Sequence, residues 1–247
     1  MLMEVYLFFV FMLSSFLQTT TGFGFAIITA PLLALVVDAK ETVMLVMITG
    51  LMVKLLLLRV IKDEGSFTDI LPLMTAGVAG AIPGAYLLAI ISSDGLKLFI
   101  GVVLLAATLA MWKNYTINIA NPRYAEAIVG AVSGFLATTT SVNGPPIILY
   151  YLNAKADANK AAFRANLTRY FLLMSAASIL ISYLVGNLHF GDLWSRVLLA
   201  VPALYAGVYA GEKAFHRINA KTFRTVSLVM VFASSLTIVS TVLMKHL

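Results

Sequence analysis

Apolar residues fall in ten runs along the chain, at about 5–17, 26–37, 42–60, 70–91, 96–112, 124–136, 146–152, 165–185, 193–211 and 222–244. A helix needs about 20 residues to cross a bilayer. Six of the runs are long enough alone, three in each half of the sequence. The other four are short and form two pairs, each flanking a polar break: TTTGFGF at 19–25 and TTTSVNGPP at 138–146. The pattern predicts an all-α integral membrane protein in which two helices are interrupted by non-helical backbone.

The two breaks belong to a repeat. Laid over 133–158 without a gap, 14–39 matches at ten of 26 positions, including the Thr triplets, Phe16/Phe135, Ile28/Ile147 and Asp38/Asp157. The same offset of 119 residues aligns Pro83 with Pro202 and Tyr86 with Tyr205. Residues 1–119 and 120–247 therefore read as two homologous membrane units. Repeated apolar halves with paired broken helices are the sequence sign of a secondary transporter, and the breaks point to its substrate site.

As one straight helix, 5–37 would be about 50 Å long against a hydrocarbon core of about 30 Å. It must tilt, break or turn back. Loop charge separates crossing from turning back. If each pair crosses once, the loop Lys and Arg divide nine to six between the two faces. If each pair is a re-entrant hairpin, the division is eleven to four, with Lys40, Lys97, Arg196 and Lys245 on the poorer side. The second division obeys the positive-inside rule better. It predicts two hairpins plus six spans, halves of inverted orientation, and both termini outside. Gly80/Gly84, Gly130/Gly134 and Gly207/Gly211 have the spacing that lets helix backbones approach closely in lipid.

Composition narrows the function. The chain is 61% hydrophobic and 11% charged, with a net charge of +6. Soluble domains carry roughly 25% charged residues. No polar connection exceeds that at 113–123, so neither a soluble catalytic domain nor a nucleic-acid partner is expected. The absence of Cys removes disulfides and thiolate metal sites. The apolar N-terminus lacks a basic flank and contains part of the repeat, so it reads as a retained helix. The three His are remote from any metal-binding spacing, and no phosphate-binding loop or nucleophile elbow occurs. No cofactor is expected. The expected partners are the lipid bilayer and a small anionic substrate, and a homo-oligomer is compatible with the sequence.

The chemistry lies at the breaks. Gln18, Thr19, Thr20 and Thr21 lead to Gly22 and Gly24, which permit a sharp turn. In the second half Thr138, Thr139 and Thr140 lead to Ser141, Asn143 and Gly144, followed by Pro145 and Pro146 at a helix start. Paired half-helix N-termini would present free N–H groups to an anion, and the hydroxyls and amides would add donors. Embedded charge agrees: Lys54 and Arg169 lie inside spans and Arg164 at the mouth of one, while no Asp or Glu lies mid-span. Lys54 is expected to snorkel to the basic face, and Arg169 to face the substrate path. Both a carrier and an anion channel fit these features.

The stretches TGFGFAIITAPLLAL at 21–35, NGPPIILYYL at 143–152 and KAAFRANLTRYFLL at 160–173 resemble the TauE/SafE family of sulfite and organosulfonate exporters. The resemblance covers essentially the whole chain. It implies a multi-pass carrier of a small sulfur-containing or organic anion in a bacterial or archaeal inner membrane. The family's usual glycine cluster is replaced here by Gly22-Phe23-Gly24-Phe25 and by Asn143-Gly144-Pro145-Pro146.

Overall fold

The structure, a computed structural model, describes residues 2–59, 67–113, 121–154, 160–187, 193–215 and 220–245. Among them are ten α-helices, one short 3-10 turn and no strand. The helices are α1 (Leu2–Thr21), α2 (Phe25–Ala34), α3 (Ala39–Leu58), α4 (Leu71–Ile90), α5 (Ser93–Trp112), α6 (Pro122–Thr139), α7 (Gly144–Ala154), α8 (Lys160–Leu184), α9 (Leu193–Ala214) and α10 (Ala220–Lys245). Six described helices are long and apolar enough to cross a membrane: α1, α3, α4, α5, α8 and α9. Large apolar side chains such as Ile90, Leu184 and Leu198 are exposed on the outside of the bundle, the surface that lipid covers in such a protein.

The set of long helices differs from the expected one at α1. Its apolar run stops at Leu17, yet the helix continues through Thr21. The Thr hydroxyls explain the extension. Thr19 donates to the Ser15 carbonyl at 2.7 Å and Thr21 to that of Leu17 at 2.8 Å. Back-bonding of this kind hides a polar side chain inside its own helix. At α10 the described apolar part is the shorter Val231–Met244.

The short helices fold back on their predecessors. The Tyr6 hydroxyl, at the start of α1, donates to the Leu32 carbonyl near the end of α2 at 3.0 Å. Tyr150 in α7 likewise donates to Glu126 at the start of α6, at 2.9 Å. Each pair is thus an antiparallel hairpin. Left-handed backbone makes both turns: Gly22 has φ 82° and Gly24 φ 110°, and Ser141, which the repeat offset aligns with Gly22, has φ 62°. Glycine adopts this region freely, and serine does so only at a cost. The Ser141 hydroxyl anchors its turn by donating to the Val43 carbonyl at 2.9 Å.

Glycines set how the hairpins dock. A Cβ on Gly80 or Gly134 would overlap the Ala131 or Gly77 carbonyl, which brings α4 and α6 together. A Cβ on Gly207 or Gly211 would meet Met12, Ser15, Phe16 and Thr19, which does the same for α9 and α1. These are the most extensive helix pairings in the molecule. In both, residue numbers rise together along the two helices, so the helices run parallel.

Two other pairs run in opposite directions. Lys54 meets Ser175 and Met47 meets Ser182, so α3 and α8 are antiparallel. Gly101 packs on Ser235 and Val239, and Trp112 on Phe232, so α5 and α10 are antiparallel as well. With the hairpins, these directions make all ten helices alternate. One end of the bundle then gathers the α2–α3, α4–α5 and α8–α9 junctions. There Asp38 accepts from Ser93, Lys40 donates to the Ala89 carbonyl at 3.0 Å, and Arg196 pairs with Glu41. Arg59, Lys113, Arg123, Arg164 and Lys213 lie towards the other end. Lys62, Lys155 and Arg217, also counted on that side, lie outside the described residues.

Candidate functional site

The two hairpin tips meet at one small cavity. Its wall is formed by Ala26 of α2, Val46, Met47 and Lys54 of α3, Ala137 of α6, Ser141 and Asn143 of the second turn, and Ser175 and Ser178 of α8. The tips also approach each other directly: a Cβ on Gly144 would lie 3.5 Å from the Ile27 side chain.

Each turn is tied internally. The buried Gln18 amide donates from Nε2 to the Gly22 carbonyl at 2.9 Å, and its Oε1 accepts from the Phe25 N–H at 3.2 Å. In the second turn Ser133 donates to the Asn143 carbonyl at 2.9 Å and itself accepts from Tyr170 at 3.0 Å. Ser133 and Tyr170 are absent from the sequence-based site. A pattern search sees in them only a small polar and an aromatic residue at helical positions.

The sequence-predicted residues divide into three groups. Ser141 and Asn143 line the cavity, and Gly144 lies beside it. Gln18, Gly22 and Gly24 build the first turn. The Thr triplets stand apart, because all six hydroxyls donate to main-chain carbonyls. Thr138 reaches the Ala81 carbonyl at 2.7 Å and so stitches α6 to α4, whereas the nearer acceptor of Thr139 is the Phe135 carbonyl of its own helix at 2.7 Å. A hydroxyl has one hydrogen, so none of the six is unengaged for an anion in this conformation. The half-helix ends are also less open than the sequence suggests. The Phe25 N–H is held by Gln18, and Pro145 and Pro146 carry no N–H.

The cations separate similarly. Arg169 is buried, with its guanidinium over the Phe67 ring at 5.3 Å, and does not line the cavity. Arg164 abuts the first turn: a Cβ on Gly22 would lie 3.2 Å from the Arg164 Cα and Cγ. Its guanidinium covers Phe215 at 4.4 Å, and its buried Nε and Nη2 have no hydrogen-bond partner. Lys54 departs from expectation. It does not snorkel but is 8% exposed, with Nζ on Ser175 Oγ at 2.7 Å. The cause is the helical lean of side chains towards the N-terminus. Lys54 stands near the C-terminal end of α3, so this lean carries its amine inward, over Gly50.

Ten alternating helices around a cavity built from two hairpin tips define a multi-pass membrane protein of the transporter class. No cluster of His, Cys, Asp or Glu suited to a metal occurs among the described residues. A family comparison agrees with this class. The description "Sulfite exporter TauE/SafE" matches residues 7–238 of the 247, and the chain belongs to that family. No curated protein and no solved structure gives a significant match. The family consists of membrane transporters of the sulfite-exporter type, which fits a chain without enzymatic function.

Proposed function

We propose that the protein is a secondary carrier that exports a small sulfur-containing or organic anion, such as sulfite or an organosulfonate, across a bacterial or archaeal inner membrane. The observation that carries this reading is the cavity between the hairpin tips, which holds a buried lysine and receives residues from both halves. Helices at corresponding repeat positions, α3 with α8 and α5 with α10, pack antiparallel. Such packing supports two homologous units of inverted orientation. The richer Lys and Arg content at one end supports a cytoplasmic location for that end. Alternating access then comes from rocking of one unit against the other around the cavity. The parallel, glycine-lined pairings α1–α9 and α4–α6 each join one unit to the other, so they are the surfaces across which that motion must slide.

Counterflow tests the proposal. Proteoliposomes preloaded with unlabelled sulfite should take up labelled sulfite transiently above equilibrium, with a saturable rate. Flux that rises linearly with concentration and shows no counterflow would replace the carrier with an anion channel.

A further inference from the structure

We infer that Lys54, with Ser178 and Asn143 around it, is the anion-binding centre of the cavity, and that its occupant is a singly charged oxyanion of the sulfonate or carboxylate kind. This deepens the carrier reading and rests on it. Lys54 is the cation lining the cavity. Its Nζ makes one hydrogen bond, to Ser175, and among the described residues no carboxylate pairs with it. An ammonium carries three donors, so two remain. Ser178 lies one turn beyond Ser175 on α8, is 1% exposed, and has no hydrogen-bond partner. Asn143 also lines the cavity, and its side-chain amide adds a donor there.

Buried polar groups are normally satisfied, and buried charges normally paired. Spare ammonium donors on Lys54, the unpartnered Ser178 hydroxyl and the Asn143 amide around one cavity suit an acceptor with several oxygens and a negative charge.

Charge balance sets its valence. One lysine neutralises one negative charge. Of the helix-end donors that would help balance a second, the Phe25 N–H is held by Gln18 and Pro145 and Pro146 have none, which leaves only partial charges such as that of the Ala26 N–H. A dianion would therefore bury an uncompensated charge. The remaining wall, Ala26, Val46, Met47 and Ala137, is apolar and suits the carbon side of an organic oxyanion. Gly50 makes room for the amine: a Cβ there would lie 3.2 Å from Nζ and 3.3 Å from the Phe25 ring.

The test uses the purified full-length protein and thermal unfolding titrated with methanesulfonate, sulfate and chloride, since a ligand of the native state raises its stability by mass action. Methanesulfonate should raise the melting temperature at lower concentration than sulfate or chloride. Lys54→Met should melt at or above the wild type, because a buried unpaired charge has been removed, and should lose methanesulfonate affinity by at least about thirtyfold. Gly50→Ala keeps the charge but displaces the amine, and Ser178→Ala removes one partner; each should weaken binding by a smaller factor. Methanesulfonate affinity in Lys54→Met within twofold of wild type would overturn the inference. So would sulfate outranking methanesulfonate tenfold in the wild type. If Lys54→Met does not fold, unchanged affinity in both Gly50→Ala and Ser178→Ala overturns it equally. These results leave carriage intact where wild-type proteoliposomes still show counterflow. A wild type that neither binds nor moves any anion removes the carrier reading itself.

Discussion

Replacing Gln18 with leucine tests whether this residue builds the first hairpin turn or serves the substrate directly. Leucine keeps most of the volume and removes both polar atoms. Two main-chain groups then lose their partner, the Gly22 carbonyl now at 2.9 Å and the Phe25 N–H now at 3.2 Å. Gln18 is only 2% exposed, so water cannot readily replace it. An orphaned buried donor or acceptor costs about 1–3 kcal/mol. Two such groups cost roughly 2–6 kcal/mol, the larger contribution coming from the shorter bond to Gly22. For a protein of this size that corresponds to a fall of roughly 5–20 °C in melting temperature. The assay is thermal unfolding in detergent beside anion flux in proteoliposomes. Gln18→Leu should lose stability by that amount and lose flux with it, because α2 no longer starts in place. Wild-type stability with lost flux would return Gln18 to the substrate, and wild-type behaviour in both assays would refute the turn's dependence on it.

Other substitutions separate structural from binding roles. Thr20 donates only to carbonyls of its own helix, so Thr20→Val should leave transport near wild type and stability within about 0.5 kcal/mol; a tenfold loss of anion affinity would show that the hydroxyl reorients to the substrate. Thr138→Val removes a bond between α6 and α4 and should cost about 1 kcal/mol in denaturant unfolding, an unchanged midpoint counting against the stitch. Gly134→Val must push α6 off the Gly77 backbone, so the extracted protein should elute as aggregate in size-exclusion chromatography; a normal monodisperse peak would contradict the close approach. Burial alone would raise the Asp38 carboxyl, but hydrogen bonds from Ser93 and the N–H groups that open α3 outweigh it and hold the carboxyl below its usual range. Its contribution is therefore complete above the unfolded value and is lost as pH falls through the folded one. Acidification should destabilise the wild type more than Asp38→Asn, and equal pH profiles would contradict the assignment.

The breaks and the hairpins are legible in the sequence because each leaves a local mark. Glycine at Gly22 and Gly24 announces the turn, and the Thr triplets announce its second copy. The end of α1 is not legible, since a Thr that back-bonds to its own helix looks the same in one dimension as a Thr that faces a ligand. The site is legible in part for a related reason. Ser141, Asn143 and Gly144 reach the cavity region because the turn carries them there, as its residue types suggest. Lys54 is visible as an embedded charge, but which way its side chain leans depends on the direction of α3 in the bundle and on the slot left by Gly50. Those are facts of packing. Arg169 shows the converse: an embedded cation that packs on an aromatic ring and does not line the cavity.

The central claim, a cavity reached from each side of the membrane in turn, can be measured directly because the chain has no cysteine. Ala137→Cys places a single thiol on the cavity wall between the hairpin tips. Membrane-impermeant thiol reagent should label it from the outside in one population of sealed vesicles and from the inside in the inverted population, and bound anion should slow both. A thiol labelled from one side only, at a rate indifferent to anion, would contradict alternating access around this cavity.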